Sequence, residues 1–203
     1  MSPFDFLFAL FSLLLGLAMA EILQGFGQVM KFHARARAGL ERRVRVGVLV
    51  PLLALYVLLS QLFFWTQTYR IQERLPFNYL TLLVVTAIVG GYYLLSVLVW
   101  PDELDDWPDF DAYYDQHNRL ILSGNLTLTI AGAVITGIYS DPSTAPVVST
   151  IVLAIEALGF GGALLLNFVV IFVRRRRLNA ALLALLILLD VGGAIATVAA
   201  GIV

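Results

Sequence analysis

Leu49-Val50-Pro51-Leu52-Leu53-Ala54-Leu55 is an unbroken apolar run. A half-buried β-strand alternates apolar and polar residues with a period of two, and a membrane-spanning β-strand does the same over about ten residues. This run does not alternate, and neither does Leu182-Leu183-Ala184-Leu185-Leu186. Runs this apolar need a setting in which every backbone group is satisfied within its own segment, which is what an α-helix provides in lipid.

Extending outward from these runs gives six stretches near the roughly 20 apolar residues that a helical crossing needs. They are Phe4–Val29, Val46–Trp65, Tyr79–Trp100, Leu120–Tyr139, Ala145–Val173 and Leu178–Val203. The composition agrees. Of 203 residues, 60% are hydrophobic and 13% charged, with a mean hydropathy of +0.89. A typical soluble domain is about 45–50% apolar and about 25% charged. The expectation is an all-α, integral membrane six-helix bundle forming one domain over 1–203, with no soluble domain. A net charge of −1 without a separate basic domain excludes a nucleic-acid binder. The absence of cysteine excludes disulfides, thiolate metal sites and thiol redox chemistry.

Proline positions mark the spans. Pro146 suits the first turn of the fifth, and Pro76 and Pro101 bracket the third. Pro51 falls inside the second span and is expected to bend it. The fifth span, about 43 Å as a straight helix, must tilt, kink or protrude. Ala18-Met19-Ala20 resembles a signal-peptide cleavage site, but Met1–Asp5 has no basic residue and the apolar run continues to Val29, so the first span is read as retained.

Lys and Arg set the orientation. The first loop holds Lys31, Arg35, Arg37, Arg42, Arg43 and Arg45; the third holds Arg119; the fifth holds Arg174, Arg175, Arg176 and Arg177. The even loops hold only Arg70 and Arg74. Cytoplasmic loops carry the excess of Lys and Arg, so both termini are expected outside, N-out and C-out. Trp65 and Tyr69 are assigned to the outer aromatic belt, Trp100 and Trp107 to the inner one. The basic loops are expected to touch anionic lipid headgroups.

The third loop, Pro101–Asn118, is acidic. It carries Asp102, Glu103, Asp105, Asp106, Asp109, Asp111 and Asp115 among Trp107, Phe110, Tyr113 and Tyr114. Charge complementarity with the two basic loops on the same face is the expectation. Asp111, Asp115 and His117 could also share one side of a short helix and hold a divalent cation, although no glycine-turned calcium loop is present.

Within the spans, Glu21, Glu156 and Asp190 each cost about 2.5–3.5 kcal/mol at mid-membrane, so they are expected to face the bundle interior or water. Gln24 and Gln28 continue a polar stripe from Glu21. Asn125 and Asn167 lie about 9–10 Å along their helices from the nearest arginine, Asp190 about 20 Å and Glu156 about 27 Å, so these groups look staggered through the membrane. Asp190 shares a face with Gly193, Thr197 and Gly201, and Glu156 shares one with Gly159, Ala163 and Asn167; small residues at this spacing suit close helix contact. Gly90-Gly91 and Gly161-Gly162 suggest packing or a kink rather than phosphate binding.

No H-E-x-x-H, G-x-S-x-G, Walker loop or TVGYG filter is present, so no catalysis, cofactor or metal is expected. Two functions fit. One is a small channel or transporter for protons, cations or a small solute, lined by Glu21, Gln24, Asn125, Glu156, Asn167 and Asp190, and expected to be a homo-oligomer if it is a channel. The other is a membrane-embedded structural or regulatory protein binding a partner through its charged cytoplasmic loops.

Ser12–Ala18 followed by Glu21, the basic first loop, Phe64-Trp65, and Tyr113-Tyr114 with Asn118-Arg119 resemble a loose group of small, uncharacterised bacterial six-span inner-membrane proteins. The likeness covers about the first 120 residues. It implies a bacterial inner-membrane location and no particular activity.

Overall fold

The structure is a computed structural model and describes residues 3–38, 47–102, 107, 109–140 and 150–199, with no β-strand among them. It consists of six helices: α1 (Pro3–Arg37), α2 (Leu49–Arg70), α3 (Tyr79–Val99), α4 (Phe110–Tyr139), α5 (Thr150–Phe172) and α6 (Arg176–Ala199). Five of them are long and apolar enough to cross a membrane; α5 contributes a shorter described apolar stretch, Gly159–Phe172. The chain is thus an all-helical protein of membrane character.

The helix boundaries revise the sequence reading in three places. α1 continues past Val29 to Arg37, so Lys31 and Arg35 ride on the helix rather than in a loop. α4 begins ten residues before Leu120, at Phe110, so half of the acidic third loop is helical. Asp109 caps it, its side chain accepting the Asp111 N–H at 3.1 Å. α2 begins at Leu49, which puts Pro51 in the first turn. Its missing N–H is one that a helix start leaves unpaired anyway, so no bend is forced. Asn78 caps α3 by accepting the Thr81 N–H at 2.8 Å, and Pro101 follows its last turn. Pro146 lies outside the described residues.

α2 is the hub. It packs against α1, α3, α4 and α6, while α1, α3, α4, α5 and α6 follow one another in an arc around it. Val50, Ala54 and Val57 of α2 are fully enclosed. The core has two parts. Near the arginine-rich end, Leu53 and Val57 of α2 belong to a cluster that also includes Ile22, Val99, Ile121, Val170 and Leu183 from the other five helices. Toward the opposite end, Phe11, Leu15, Phe64, Val85 and Val89 form a second cluster, which among the described residues includes none from α5 or α6.

Glycines set the closest helix approaches. Gly25 leaves room on α1 for the Trp100 ring of α3, whose Nε1 donates to the Ile22 carbonyl at 3.2 Å. Trp100 is therefore buried in a helix contact, not placed in an inner aromatic belt. A Cβ on Gly91 or Gly124 would stand 2.8 Å from a terminal methyl of Leu128 or Leu95, so both glycines lie at the α3–α4 contact, and a side chain at either would make that leucine shift. Gly159, Gly161, Gly162, Gly192 and Gly193 face open space, and residues 191–195 are exposed. Among the described residues the small face is thus open at Gly193, while Asp190 itself is partly buried; the side chain of Thr197, and Gly201, lie outside the described residues. Trp65 stays at the surface, close to Phe8 and Tyr69, and its Nε1 donates to Ser12 Oγ at 3.2 Å.

Candidate functional site: a buried polar network around α2

Tyr56 and Ser60 lie one turn apart on α2 and point the same way, since i and i+4 share a helix face. They stand about 10 and 17 Å from the start of a helix about 33 Å long, just before and at its midpoint. Asn167 of α5 donates to the Tyr56 hydroxyl at 2.7 Å. Asn125 of α4 donates to Ser60 Oγ at 3.1 Å, and Ser60 donates back to the Tyr56 carbonyl at 3.0 Å. Gln61, the next residue, turns toward α3 and donates to Ser96 Oγ at 2.7 Å. Ser96 in turn donates to the Tyr92 carbonyl at 2.9 Å. Thr129 Oγ1 donates to the Asn125 carbonyl at 2.8 Å and faces the Tyr92 hydroxyl.

Gln61, Asn125 and Asn167 are buried to 1% exposure or less. Each spends its amide N–H on a neighbour, and the amide oxygens Gln61 Oε1, Asn125 Oδ1 and Asn167 Oδ1 have no hydrogen-bond partner in the protein. A buried polar atom left unpaired costs about 1–3 kcal/mol, so three on neighbouring helices constitute a site that calls for water or an ion. Asp190 of α6 is partly buried and within electrostatic reach of both Tyr56 and Tyr92.

Asn125, Asn167 and Asp190 are therefore brought together around α2, whereas their sequence positions suggest a staggered series. Glu21 and Gln24 are not part of this group. They line a separate groove between α1 and the end of α3, together with Gln28 and Asp102. The side chain of Glu156 lies outside the described residues. Tyr56, Ser60, Gln61, Tyr92 and Ser96 are members that sequence reading passed over. Gln61 beside Ser60 in an apolar run is a visible signal; the two tyrosines are not, because tyrosine inside a span reads as aromatic filling.

At the arginine-rich end the acidic residues take separate tasks. Arg176, the first residue of α6, pairs with Asp109 at 2.9 Å and Asp115 at 2.7 Å. This is the complementarity anticipated between the acidic and arginine segments. Asp111 turns to the start of α2, where Oδ1 accepts the Leu49 N–H at 3.4 Å and Gly47 admits the carboxylate. A carboxylate is favoured there by the unpaired N–H groups of the helix start. His117 Nδ1 donates to the Tyr113 carbonyl at 3.1 Å. Asp111, Asp115 and His117 thus diverge and do not form a divalent-cation site, and no group of three such ligands occurs among the described residues. Asp105 and Asp106 lie outside the described residues.

Fold and site define a class, the multi-helix membrane protein with a polar network among its helices. Comparison with family models, characterised proteins and solved structures returns no match.

Proposed function

We propose that this chain is a six-span bacterial inner-membrane protein, N-out and C-out, that passes protons, small cations or a small solute along the polar network beside α2. The observation that carries the reading is the set of three buried amide oxygens without partners among the described residues, on α2, α4 and α5. Buried carbonyl oxygens of this kind replace the hydration shell of a passing ion or hold the waters of a proton path. Asp190 adds an ionisable carboxylate near them, and an intramembrane acid beside a polar cluster is a pathway group by default. No catalysis, cofactor or metal is assigned. A homo-oligomer belongs to the same proposal, since five helices arranged about α2 enclose little space.

The alternative, a structural or regulatory protein that binds a partner through its charged cytoplasmic segments, draws less support. Arg176, Asp109, Asp115 and Asp111 are engaged within the chain. The test is flux into liposomes holding purified protein, read with dyes for protons, sodium and potassium. Wild type is expected to exceed empty liposomes. Asn125→Leu and Asp190→Asn are each expected to lose about tenfold or more, the scale of a lost interaction worth about 1.4 kcal/mol, while remaining folded in detergent. Flux equal to empty liposomes for every ion sinks the transport reading; full flux in Asp190→Asn removes Asp190 from the pathway.

A further inference from the structure

Where α3 ends and α4 begins, the described residues line a half-open pocket of about 360 Å³, separate from the network around α2. Its walls are aromatic. The Trp107 ring stands at 82° to Tyr113, with centroids 5.1 Å apart, and at 79° to His117 at 6.2 Å. Tyr113 and His117 are stacked with centroids 4.2 Å apart, so Trp107 and this pair form a corner. Trp100 contributes a further indole wall, and Asp102 places a carboxylate at the same cavity.

The corner is held rigidly. The Tyr113 hydroxyl donates to the Leu98 carbonyl at 2.8 Å and the Trp100 carbonyl at 3.2 Å, which ties α4 to the end of α3. The His117 Nδ1–H is spent on the Tyr113 carbonyl, which leaves Nε2 of the neutral ring as an acceptor.

Every electrostatic feature of this cavity favours a cation. Aromatic faces carry negative potential. Asp102 adds a negative charge, and α3 points its C-terminal end, the negative end of its dipole, at the same place. Among the described residues no lysine or arginine lines it. Among the described residues Asp102 is the carboxylate at these rings, and the rings supply none of the six or more oxygen ligands that a hard divalent ion needs. A soft, bulky cation gains instead from the ring faces. We infer that the Trp107–Tyr113–His117 corner with Trp100 and Asp102 is a binding site for an alkylammonium group, either on a free amine or on a lipid headgroup. The site lies at the end of the bundle where Arg176 and Asp111 also sit, the end expected at the headgroup level of the cytoplasmic leaflet.

Calorimetry with choline as the probe tests this on the full chain. The protein is placed in nanodiscs of phosphatidylglycerol, and the neutral carbon analogue of choline, dimethylbutanol, serves as control. Choline is expected to bind in the millimolar range or tighter and the analogue not measurably. Asp102→Asn and Trp107→Ala should each weaken choline about tenfold or more, about the upper range of an enclosed cation–aromatic contact. Asp102 is exposed, so its variant tests the charge without disturbing the core; unchanged thermal midpoints confirm that both variants are folded. Repeating the titration in nanodiscs containing phosphatidylcholine separates the sources. A weakened choline affinity there identifies the lipid headgroup as the occupant, and an unchanged one identifies a free amine. No choline binding by wild type, equal binding of the neutral analogue, or wild-type affinity in both variants overturns the assignment.

Discussion

A single methylene decides much at Gly25. Its Cα faces the Trp100 indole, and a side chain there would occupy the space of that ring. Gly27, two residues on, faces open space. Gly25→Leu is expected to push Trp100 off the Ile22 carbonyl and cost about 1–3 kcal/mol, the usual cost of overpacking. Gly27→Leu should be close to neutral. Thermal unfolding in detergent, followed by circular dichroism, compares the two; equal midpoints would remove Gly25 from the α1–α3 contact. Asn167→Ala makes a second residue-scale test. It leaves the Tyr56 hydroxyl without its donor and should cost about 1 kcal/mol, since polar contacts between membrane helices average well below the value expected in hydrocarbon. A midpoint unchanged from wild type would show that Tyr56 finds another partner.

Among the elements, the starts of α2, α4 and α6 share one charged junction. Asp111 sits on the first turn of α2, and Arg176 joins α6 to the start of α4. Arg176 is 41% exposed, so its two pairs contribute only about 0.2–1 kcal/mol. Arg176→Ala should lower the thermal midpoint in dilute buffer, and the difference should vanish near 1 M salt, where charges are screened beyond about 3 Å. The loss from Gly25→Leu should persist at that salt concentration, because it is steric. A salt-independent Arg176→Ala effect would mean that the guanidinium stem, not its charge, holds α6. The junction also explains the longer α4. The loop reading of residues 110–118 followed their polarity, but the Asp109 cap and the burial of Phe110, Tyr113 and Tyr114 against the bundle carry the helix ten residues further.

On the scale of the whole molecule, the arrangement is one half-buried helix with the other five in an arc around it. The Lys and Arg distribution predicts that a reporter active only in the periplasm will be active when fused after Val203. Activity of a cytoplasmic reporter at the same site would overturn either the span count or the orientation.

Helix type and approximate helix positions were legible in the sequence, because both depend on local properties: uninterrupted apolar runs, and backbone groups that must pair within their own segment in lipid. The candidate polar residues Asn125, Asn167 and Asp190 were legible for a similar reason, since a polar group in an apolar run stands out wherever it lies. Their meeting was not. Which helix stands at the centre depends on how side chains of distant segments fit, and Val50, Ala54 and Val57 do not differ in kind from the apolar residues of the outer helices. Only the packing of α2 among its neighbours brings Tyr56 to Asn167, residues 111 apart in the chain, and Gln61 to Ser96. The same holds for the acidic segment. Its charge could be counted in the sequence, but the division of Asp109 and Asp115 to α6 and Asp111 to α2 follows from where the three helix starts converge.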